Sequence, residues 1–153
     1  MLNLRSFRQS AGYCGPASLK IVLDYYGVKM SERALAELSG ATRERGVSGR
    51  SLVSAAKKLG FDARMKDNTS IEELEALAKN TPVIVDWFHP SEEGHYSVVA
   101  GFRKGNVILA DPCDGGFVEI SRSEFEDRWF DFYGDRPKSG YLVRRMIVIE
   151  KKE

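Results

Sequence analysis

Residues 9–27 read QSAGYCGPASLKIVLDYYG, and within this stretch a polar loop changes into a helical pattern at Cys14. The apolar residues of the pattern recur at helical spacing: Ala17, Ile21, Val22 and Tyr25. Pro16 suits the first turn of a helix, and Gly27 suits its end. A thiol at a helix start lies beside unpaired N–H groups and the positive end of the helix dipole, which favour a thiolate. The position therefore suits a nucleophile, with the Gln9 amide close by in sequence.

The composition is that of an ordinary globular domain. The chain has 153 residues, 42% of them hydrophobic and 29% charged, which predicts a single domain over residues 1–153. The formal net charge is +1, with basic residues spread along the chain, so we expect no nucleic-acid partner. No segment has the roughly 20 apolar residues of a membrane helix, and no signal-peptide pattern occurs. We expect no membrane insertion and a cytoplasmic location, for the chain alone or as an excised domain, and leave the oligomeric state open.

The chain contains two cysteines, Cys14 and Cys113, and two histidines, His89 and His95. Two cysteines do not form a disulfide framework, and no close Cys/His grouping offers the ligands of a structural zinc site. We therefore expect no metal and no organic cofactor. Cys113 is expected to be a small residue filling space near Cys14. A second hypothesis is that the two thiols pair under oxidation.

The first half of the chain is predicted to be mainly helical and the second half mainly β. Ser31 and Ser70 are placed to cap helices that follow them, and Ser121 or Ser123 is placed to cap a later one. Predicted strands occupy residues 61–65, 82–88, 95–102, 107–111, 117–120 and 141–149. Helices first and an antiparallel sheet second is an α+β arrangement.

A cysteine nucleophile needs a base, a group that orients the base, and donors for the oxyanion. His95 follows a glycine and begins a predicted strand, and Asp111 ends the next predicted strand. A hairpin with arms of about eight residues brings the start of one strand beside the end of the other. Asp111 would then accept a hydrogen bond from one imidazole nitrogen while the other nitrogen faces Cys14. The pattern predicts Cys14, His95 and Asp111 as catalytic residues.

Three segments, in this order, carry a resemblance to a known family. They are Gln9 with CGPASL at 14–19 and LDYYG at 23–27, then GHYSVV at 94–99, then LADP at 109–112. Together they resemble the papain-like cysteine peptidases that process bacteriocins at double-glycine leaders. The resemblance implies a papain-like fold, with an N-terminal helical lobe headed by the nucleophile and a C-terminal antiparallel sheet lobe.

The resemblance also implies roles for individual residues. Cys14 is then the nucleophile, His95 the general base and acid, and Asp111 the residue that orients His95. Gln9 matches the glutamine whose side-chain amide forms the oxyanion hole together with the N–H of Cys14. The implied partner is a peptide or protein substrate.

Residues around this set receive other interpretations. His89 precedes a proline in a charged loop, so we expect it to be solvated or at most to lie at the substrate rim. Segment 128–136, which is dense in aromatic and charged residues, is a candidate specificity rim. The aromatic residues expected in the core and cleft wall are Trp87, Phe88, Trp129, Phe130, Phe132 and Tyr133.

The sequence thus predicts a cysteine peptidase that hydrolyses peptide bonds in leader or other small peptides. Two alternatives stay open. The same residues suit an acyl transferase or amidase, and the fold suits a catalytically silent peptide-binding module. Family members that act at double-glycine leaders are commonly fused to a membrane-spanning exporter, and this chain shows no membrane-spanning pattern.

Overall fold

The computed structural model describes residues 1–132 and 140–153. Its helices are α1 (Cys14–Tyr25), α2 (Glu32–Ser39), α3 (Gly49–Lys58), α4 (Ile71–Ala78) and α5 (Arg122–Arg128). Its strands are β1 (Phe61–Lys66), β2 (Val83–His89), β3 (Glu93–Arg103), β4 (Asn106–Asp111), β5 (Gly116–Ser121), β6 (Phe130–Phe132), β7 (Tyr141–Val143) and β8 (Met146–Lys151). The predicted α+β arrangement, with helices preceding most strands, is confirmed.

Serine side chains define the starts of four helices. The Oγ atoms of Ser31, Ser48, Ser70 and Ser121 each accept a hydrogen bond from the backbone N–H three residues further on, at 3.1 to 3.2 Å. The predicted caps at Ser31 and Ser70 are confirmed, and Ser121 rather than Ser123 caps α5. In the described ranges, no helix is both long enough and apolar enough to cross a membrane.

A six-stranded antiparallel sheet forms the centre of the fold. Its strand order is β1-β8-β2-β3-β4-β5, so β8 inserts between β1 and β2. β3 and β4 form the predicted hairpin, in which Val98 pairs with Ala110 and Asp111 lies one residue beyond that pair. The pairing therefore places the end of β4 next to the first half of β3.

Side chains on the two faces of the sheet form two separate apolar clusters. On one face, α1, α2 and α3 pack against residues such as Ile84. On the other face, α4 and α5 pack against residues such as Val85. Because β2 is buried on both faces, its sequence is an almost continuous apolar run. Asp86 is the exception in the middle of that run.

The predicted single strand over residues 141–149 is wrong, because the chain forms two strands there. β7 pairs with β6 in a separate two-stranded sheet, whereas β8 joins the six-stranded sheet. Arg144 separates them with a φ of 49°, a left-handed conformation outside the β region of backbone angles. Its N–H donates to the carbonyl of Trp129 at 2.9 Å, and its Nε donates to the carbonyl of Thr69 at 2.6 Å. These long-range bonds hold the bend, and the local sequence does not reveal them.

Candidate active site

Cys14 is the first residue of α1, as predicted, and its side chain is half-buried. The turn before it requires Gly12, which has a φ of 79° and would place a Cβ only 2.3 Å from the carbonyl oxygen of Arg43. At the N-cap, Tyr13 makes no side-chain hydrogen bond to the described first turn. The N–H groups of the first turn, including that of Cys14, can therefore bind a ligand or water.

Hydrogen bonds to residues distant in sequence hold the loop that precedes Cys14. The N–H and Oγ of Ser10 donate to the carboxylate of Glu32, at 2.8 and 2.6 Å. The N–H of Gln9 donates to the carbonyl oxygen of Pro112 at 2.8 Å, which ties this loop to the end of β4. The Gln9 amide itself has only a long contact, Nε2 to the Ser10 carbonyl at 3.5 Å, and its buried Oε1 has no donor among the described residues. The backbone places Gln9 beside the site, and its amide has no strong partner in the described ranges.

β3 and β4 bring the side chains of His95 and Asp111 together, as the hairpin predicts. Nε2 of His95 lies 2.5 Å from Oδ1 of Asp111, and the two residues are only 2% and 1% exposed. Nδ1 of His95 is therefore the ring nitrogen that is available to Cys14. The thiol of Cys14 is in hydrogen-bond contact with the His95 ring. The structure thus brings together the three residues that the sequence predicts as catalytic.

Asp111 accepts hydrogen bonds from four groups. Besides His95, the donors are Nε2 of His89 at 2.9 Å, Oγ of Ser97 at 3.3 Å and the N–H of Cys113 at 3.1 Å. Burial alone would raise the pKa of Asp111, but the hydrogen bond and the charge of His95 hold that pKa below its ordinary value. Asp111 is therefore an anion at neutral pH.

The prediction of a solvated His89 is wrong. Its side chain is nearly buried, and its Nε2 is bonded to Oδ2 of Asp111. Its Nδ1 accepts hydrogen bonds from the N–H groups of Ser91 at 3.1 Å and Glu92 at 3.2 Å, so the ring proton is on Nε2. Pro90 and the acidic residues after it suggest an exposed loop. The burial of His89 instead comes from a long-range contact that the local sequence does not show.

His89, His95 and Asp111 lie close enough to raise the question of a metal centre, because one ligand atom from each falls within 4.8 Å of the others. A metal would need the lone pair of an imidazole nitrogen. The two N–H groups bonded to Nδ1 of His89 place the proton of that ring on Nε2, the atom that faces Asp111. Nε2 of His95 is bonded to the same carboxylate. This donor arrangement fits a hydrogen-bond network around a carboxylate.

The environment of His95 favours the protonated ring. Burial alone would lower its pKa, but the hydrogen bonds to Asp111 and Cys14, and the charges of both, raise the pKa of His95 from 6.5 to about 9. His95 is therefore an imidazolium ion at neutral pH. A cationic ring in contact with a thiol stabilises the thiolate, which is the nucleophilic form.

The second thiol has a different environment. Sγ of Cys113 donates to Oε1 of Glu92 at 3.2 Å. Burial and this hydrogen bond to a carboxylate raise the pKa of Cys113 to about 12. Cys113 therefore stays protonated at neutral pH. Both cysteines are free thiols in the structure, and their oxidative pairing stays a hypothesis.

The aromatic residues expected in the core and cleft wall are buried or half-buried where the structure describes them. Trp87 and Trp129 are each only 1% exposed, which confirms them as core residues. Phe88 stacks on Phe130, with ring centroids 5.1 Å apart. Tyr133 and residues 133–136 of the candidate specificity rim lie outside the described residues.

A cavity of about 590 Å³ adjoins the catalytic candidates. Gly94 and Tyr96, the two neighbours of His95 in β3, both line it. Asp86 also lines it, a residue for which the sequence led to no functional prediction. A carboxylate inside the apolar run over residues 82–88 is the signal that could have drawn attention to Asp86.

The order of the elements and the thiol at the start of α1 define the class of the protein. A helical lobe precedes an antiparallel sheet, the thiol heads the first helix, and the second lobe supplies the imidazole in contact with it. The protein is a cysteine peptidase with a papain-like fold.

Comparisons with known sequences identify the family. Residues 6–133 match the Peptidase C39 family. The chain is 40% identical over 147 residues to an uncharacterized protein of Methanothermobacter marburgensis, in a match that covers 95% of this chain and 88% of the relative. It is 34% identical over 121 residues to the transport/processing ATP-binding protein ComA of Streptococcus pneumoniae, covering 76% of this chain and 16% of ComA. The chain therefore belongs to the peptidase C39 family.

Solved structures support the same fold. The peptidase domain of Streptococcus ComA matches with a TM-score of 0.77 and 26% identity, over 99% of this chain and 100% of that domain. A double glycine motif protease from an AMS/PCAT transporter matches in fold with a TM-score of 0.75 and 23% identity, over 99% of this chain and 94% of the protease. The papain-like fold implied by the sequence resemblance is thereby confirmed.

Proposed function

We propose that this chain hydrolyses peptide bonds with Cys14 as the nucleophile, His95 as the general base and acid, and Asp111 as the residue that orients His95. The observation that carries the proposal is the position of the His95 ring. One side of the ring lies 2.5 Å from the Asp111 carboxylate, and the other is in hydrogen-bond contact with the Cys14 thiol. A base held between a nucleophile and an orienting carboxylate is the arrangement that nucleophilic catalysis requires.

In the acylation step, the Cys14 thiolate attacks the carbonyl carbon of the substrate and forms a carbon–sulfur bond. The carbonyl electron pair moves to the oxygen, giving a tetrahedral oxyanion. When the oxyanion collapses, the carbon–nitrogen bond breaks and the imidazolium of His95 donates its proton to the leaving nitrogen. The products are a free amine and a thioester on Cys14.

Deacylation reverses the proton transfer. The neutral His95 ring takes a proton from water while the water oxygen attacks the thioester carbon. The carbon–sulfur bond then breaks, which releases the carboxylic acid product and restores the thiolate beside an imidazolium. Throughout both steps, Asp111 stays ionised and holds the ring in one orientation.

The proposed donors to the oxyanion are the N–H of Cys14 and the side-chain amide of Gln9. Two features support this role. The first turn of α1 has no side-chain cap from Tyr13, and the Gln9 amide has no strong partner in the described chain. The only described hydrogen bond that competes for the Gln9 amide is therefore the long one to the Ser10 carbonyl, at 3.5 Å. Removing one donor of this kind typically costs about 10²–10³ in rate.

The proposed substrate is a peptide. ComA is a transport/processing protein, and the double glycine motif protease was crystallised in complex with a leader peptide. Leader peptides that contain Gly-Gly are therefore the first substrates to test. The chain spans 16% of ComA, and the proposal concerns the peptidase step alone.

The test combines alkylation with peptide hydrolysis. At pH 6, iodoacetamide should modify Cys14 faster than a free thiol of pKa about 8.5, and should leave Cys113 unmodified. Hydrolysis of a peptide library, with Gly-Gly leaders among its members, should be lost in Cys14→Ala and reduced about 10²–10³-fold in Gln9→Ala. Mass spectrometry of the products with an added amine separates hydrolysis from acyl transfer.

Two results would count against the proposal. One is alkylation of Cys14 at the rate of a free thiol, which would indicate a silent binding module. The other is peptide cleavage that persists in Cys14→Ala, which would place the chemistry elsewhere.

A further inference from the structure

The wall of the cavity beside the catalytic candidates includes a chain neighbour of His95 and a residue that packs against the chain neighbour of Cys14. Gly15 lies so close to Val47, a residue of the cavity wall, that a Cβ on Gly15 would stand 2.2 Å from Val47 Cγ1. Gly94, the residue directly before His95, also lines the cavity. A side chain in this cavity would therefore belong to a substrate residue close to the bond that Cys14 attacks.

The described wall of this cavity is predominantly acidic. Its two basic side chains are Arg45 and Arg145, and Arg145 forms a two-point ion pair with Asp67, at 2.6 and 2.9 Å. Its carboxylates are Glu44, Asp86, Glu92, Glu93 and Asp131. The carboxyl groups outnumber the guanidinium groups, and even with one proton shared between Asp86 and Asp131 the cavity has a field that favours a cation.

Asp86 is the deepest of these carboxylates, with only 4% of its surface exposed. No N–H or hydroxyl group of the described residues donates to its Oδ1. A buried carboxyl oxygen without a donor is costly, because it has lost its water and gained no replacement. Oδ1 of Asp86 is thus a hydrogen-bond acceptor in the cavity wall that has no donor among the described residues.

Asp131 completes a pair of carboxyl groups with Asp86. The two side chains are in hydrogen-bond contact, and burial together with the charge of Asp131 raises the pKa of Asp86 well above its ordinary value. The carboxylate of Asp131 also lies against Gly94, where a Cβ would stand 2.3 Å from Oδ1. Asp131 therefore lies beside the residue that precedes His95, and a cation that binds the two carboxyl groups would replace their shared proton.

We propose that Asp86 and Asp131 bind the positively charged side chain of a lysine or arginine in the substrate, one or two residues from the scissile bond. This inference rests on the proposed function, because it assigns a substrate preference to the same site. Two converging carboxylates suit an ammonium or guanidinium group, which carries several N–H donors. They do not suit Ca²⁺, which takes six to eight oxygen ligands. The cavity volume of about 590 Å³ admits a long side chain together with water.

The test compares peptides that differ at one position only. Each peptide carries lysine, arginine, norleucine or glutamate at one of the two positions on either side of the cleaved bond. At one of these positions, lysine or arginine should raise kcat/KM about tenfold or more over norleucine, which matches lysine in length but lacks the charge. Glutamate at the same position should give the lowest value.

The variants Asp86→Asn and Asp131→Asn remove the charge and keep the shape. In each, the ratio of kcat/KM for lysine over norleucine should fall to within about twofold of one. Asp127→Asn, which makes the same change at an exposed position of α5, should keep the ratio of the unchanged protein. If lysine and arginine show no advantage in the unchanged protein, or if the ratio survives in both Asp86→Asn and Asp131→Asn, the inference is wrong.

Binding to Cys14→Ala separates this inference from the proposed function. Fluorescence anisotropy with labelled lysine and norleucine peptides measures recognition without any chemistry. Tighter binding of the lysine peptide, lost in the Cys14→Ala/Asp86→Asn double variant, supports the pocket even if no peptide is ever hydrolysed. Equal binding of the two peptides overturns the pocket even if hydrolysis through Cys14 is established.

Discussion

Asp111 and Asp86 lie on the two strands that flank β3, and both are almost completely buried. Asp111 receives four hydrogen bonds, and its pKa lies below the ordinary value. Asp86 has an oxygen without a described donor and a second carboxyl group as its neighbour, and its pKa is raised. Burial raises the pKa of both carboxyl groups. The donors around Asp111 outweigh that effect, and Asp86, which lacks such donors, keeps its raised pKa.

The largest effect is expected for Asp111→Asn. The amide keeps the shape of the side chain but removes the charge that orients His95 and stabilises its protonated ring. We expect kcat/KM to fall on the order of 10³–10⁴-fold, as for other enzymes in which the orienting carboxylate is neutralised. The measurement is peptide hydrolysis, with Asp127→Asn as the control that changes the same group at the surface. A loss of less than about tenfold would mean that Asp111 does not orient the base.

The next effect concerns pH, because the pKa of His95 is raised from 6.5 to about 9. The reactive pair needs a protonated ring, so kcat/KM should fall about tenfold per pH unit above about 9. The same group contributes stability that is complete below pH 6.5 and is lost as the pH rises through about 9. In Asp111→Asn the fall in kcat/KM at alkaline pH should begin at a lower pH, because the charge that raises the pKa of His95 is gone. If kcat/KM fell at the same alkaline pH in both proteins, a group other than His95 would be the one that titrates.

Removing His89 should have a smaller effect, because it takes away one of the four donors to Asp111. We expect His89→Ala to lower kcat about tenfold and to leave KM within about twofold, since His89 positions the carboxylate and does not reach the Cys14 thiol. His89→Gln, whose amide can still donate to Oδ2, should recover part of the loss. An effect on KM alone, or no rescue by glutamine, would argue against a positioning role.

Asp86→Asn should make the protein more stable at alkaline pH. A carboxyl group whose pKa is raised by folding keeps a proton that the unfolded chain releases, so it makes the native state less stable as the pH rises above about 4. Replacing it with asparagine should therefore stabilise the protein, on the order of 1–3 kcal/mol at pH 8 and much less at pH 4. Urea unfolding at the two pH values measures the difference. A variant that is less stable than the unchanged protein at pH 8 would show that Asp86 is ionised and well paired.

The features that the sequence predicts well are those with a local cause. A serine followed by a helical pattern predicted the caps at Ser31 and Ser70, and turn residues between two apolar runs predicted the hairpin that joins His95 to Asp111. The features that were missed depend on distant contacts. His89 looked solvated beside Pro90 and is buried by its bond to Asp111, and the break at Arg144 depends on bonds to Thr69 and Trp129. Local patterns contain no information about such partners.

The hydrogen bond from the backbone N–H of Gln9 to the carbonyl oxygen of Pro112 has a consequence for how the protein folds. It joins residues 103 positions apart in the chain (112 − 9), and a contact of such large sequence separation closes a long loop, whose entropic cost favours late formation. The sheet with His95 and Asp111 can assemble before the N-terminal segment docks. Until that docking, Cys14 has no base and reacts as an ordinary thiol. Refolding should therefore show native sheet structure first, with hydrogen-exchange protection of the Gln9 N–H and rapid alkylation of Cys14 arriving together afterwards.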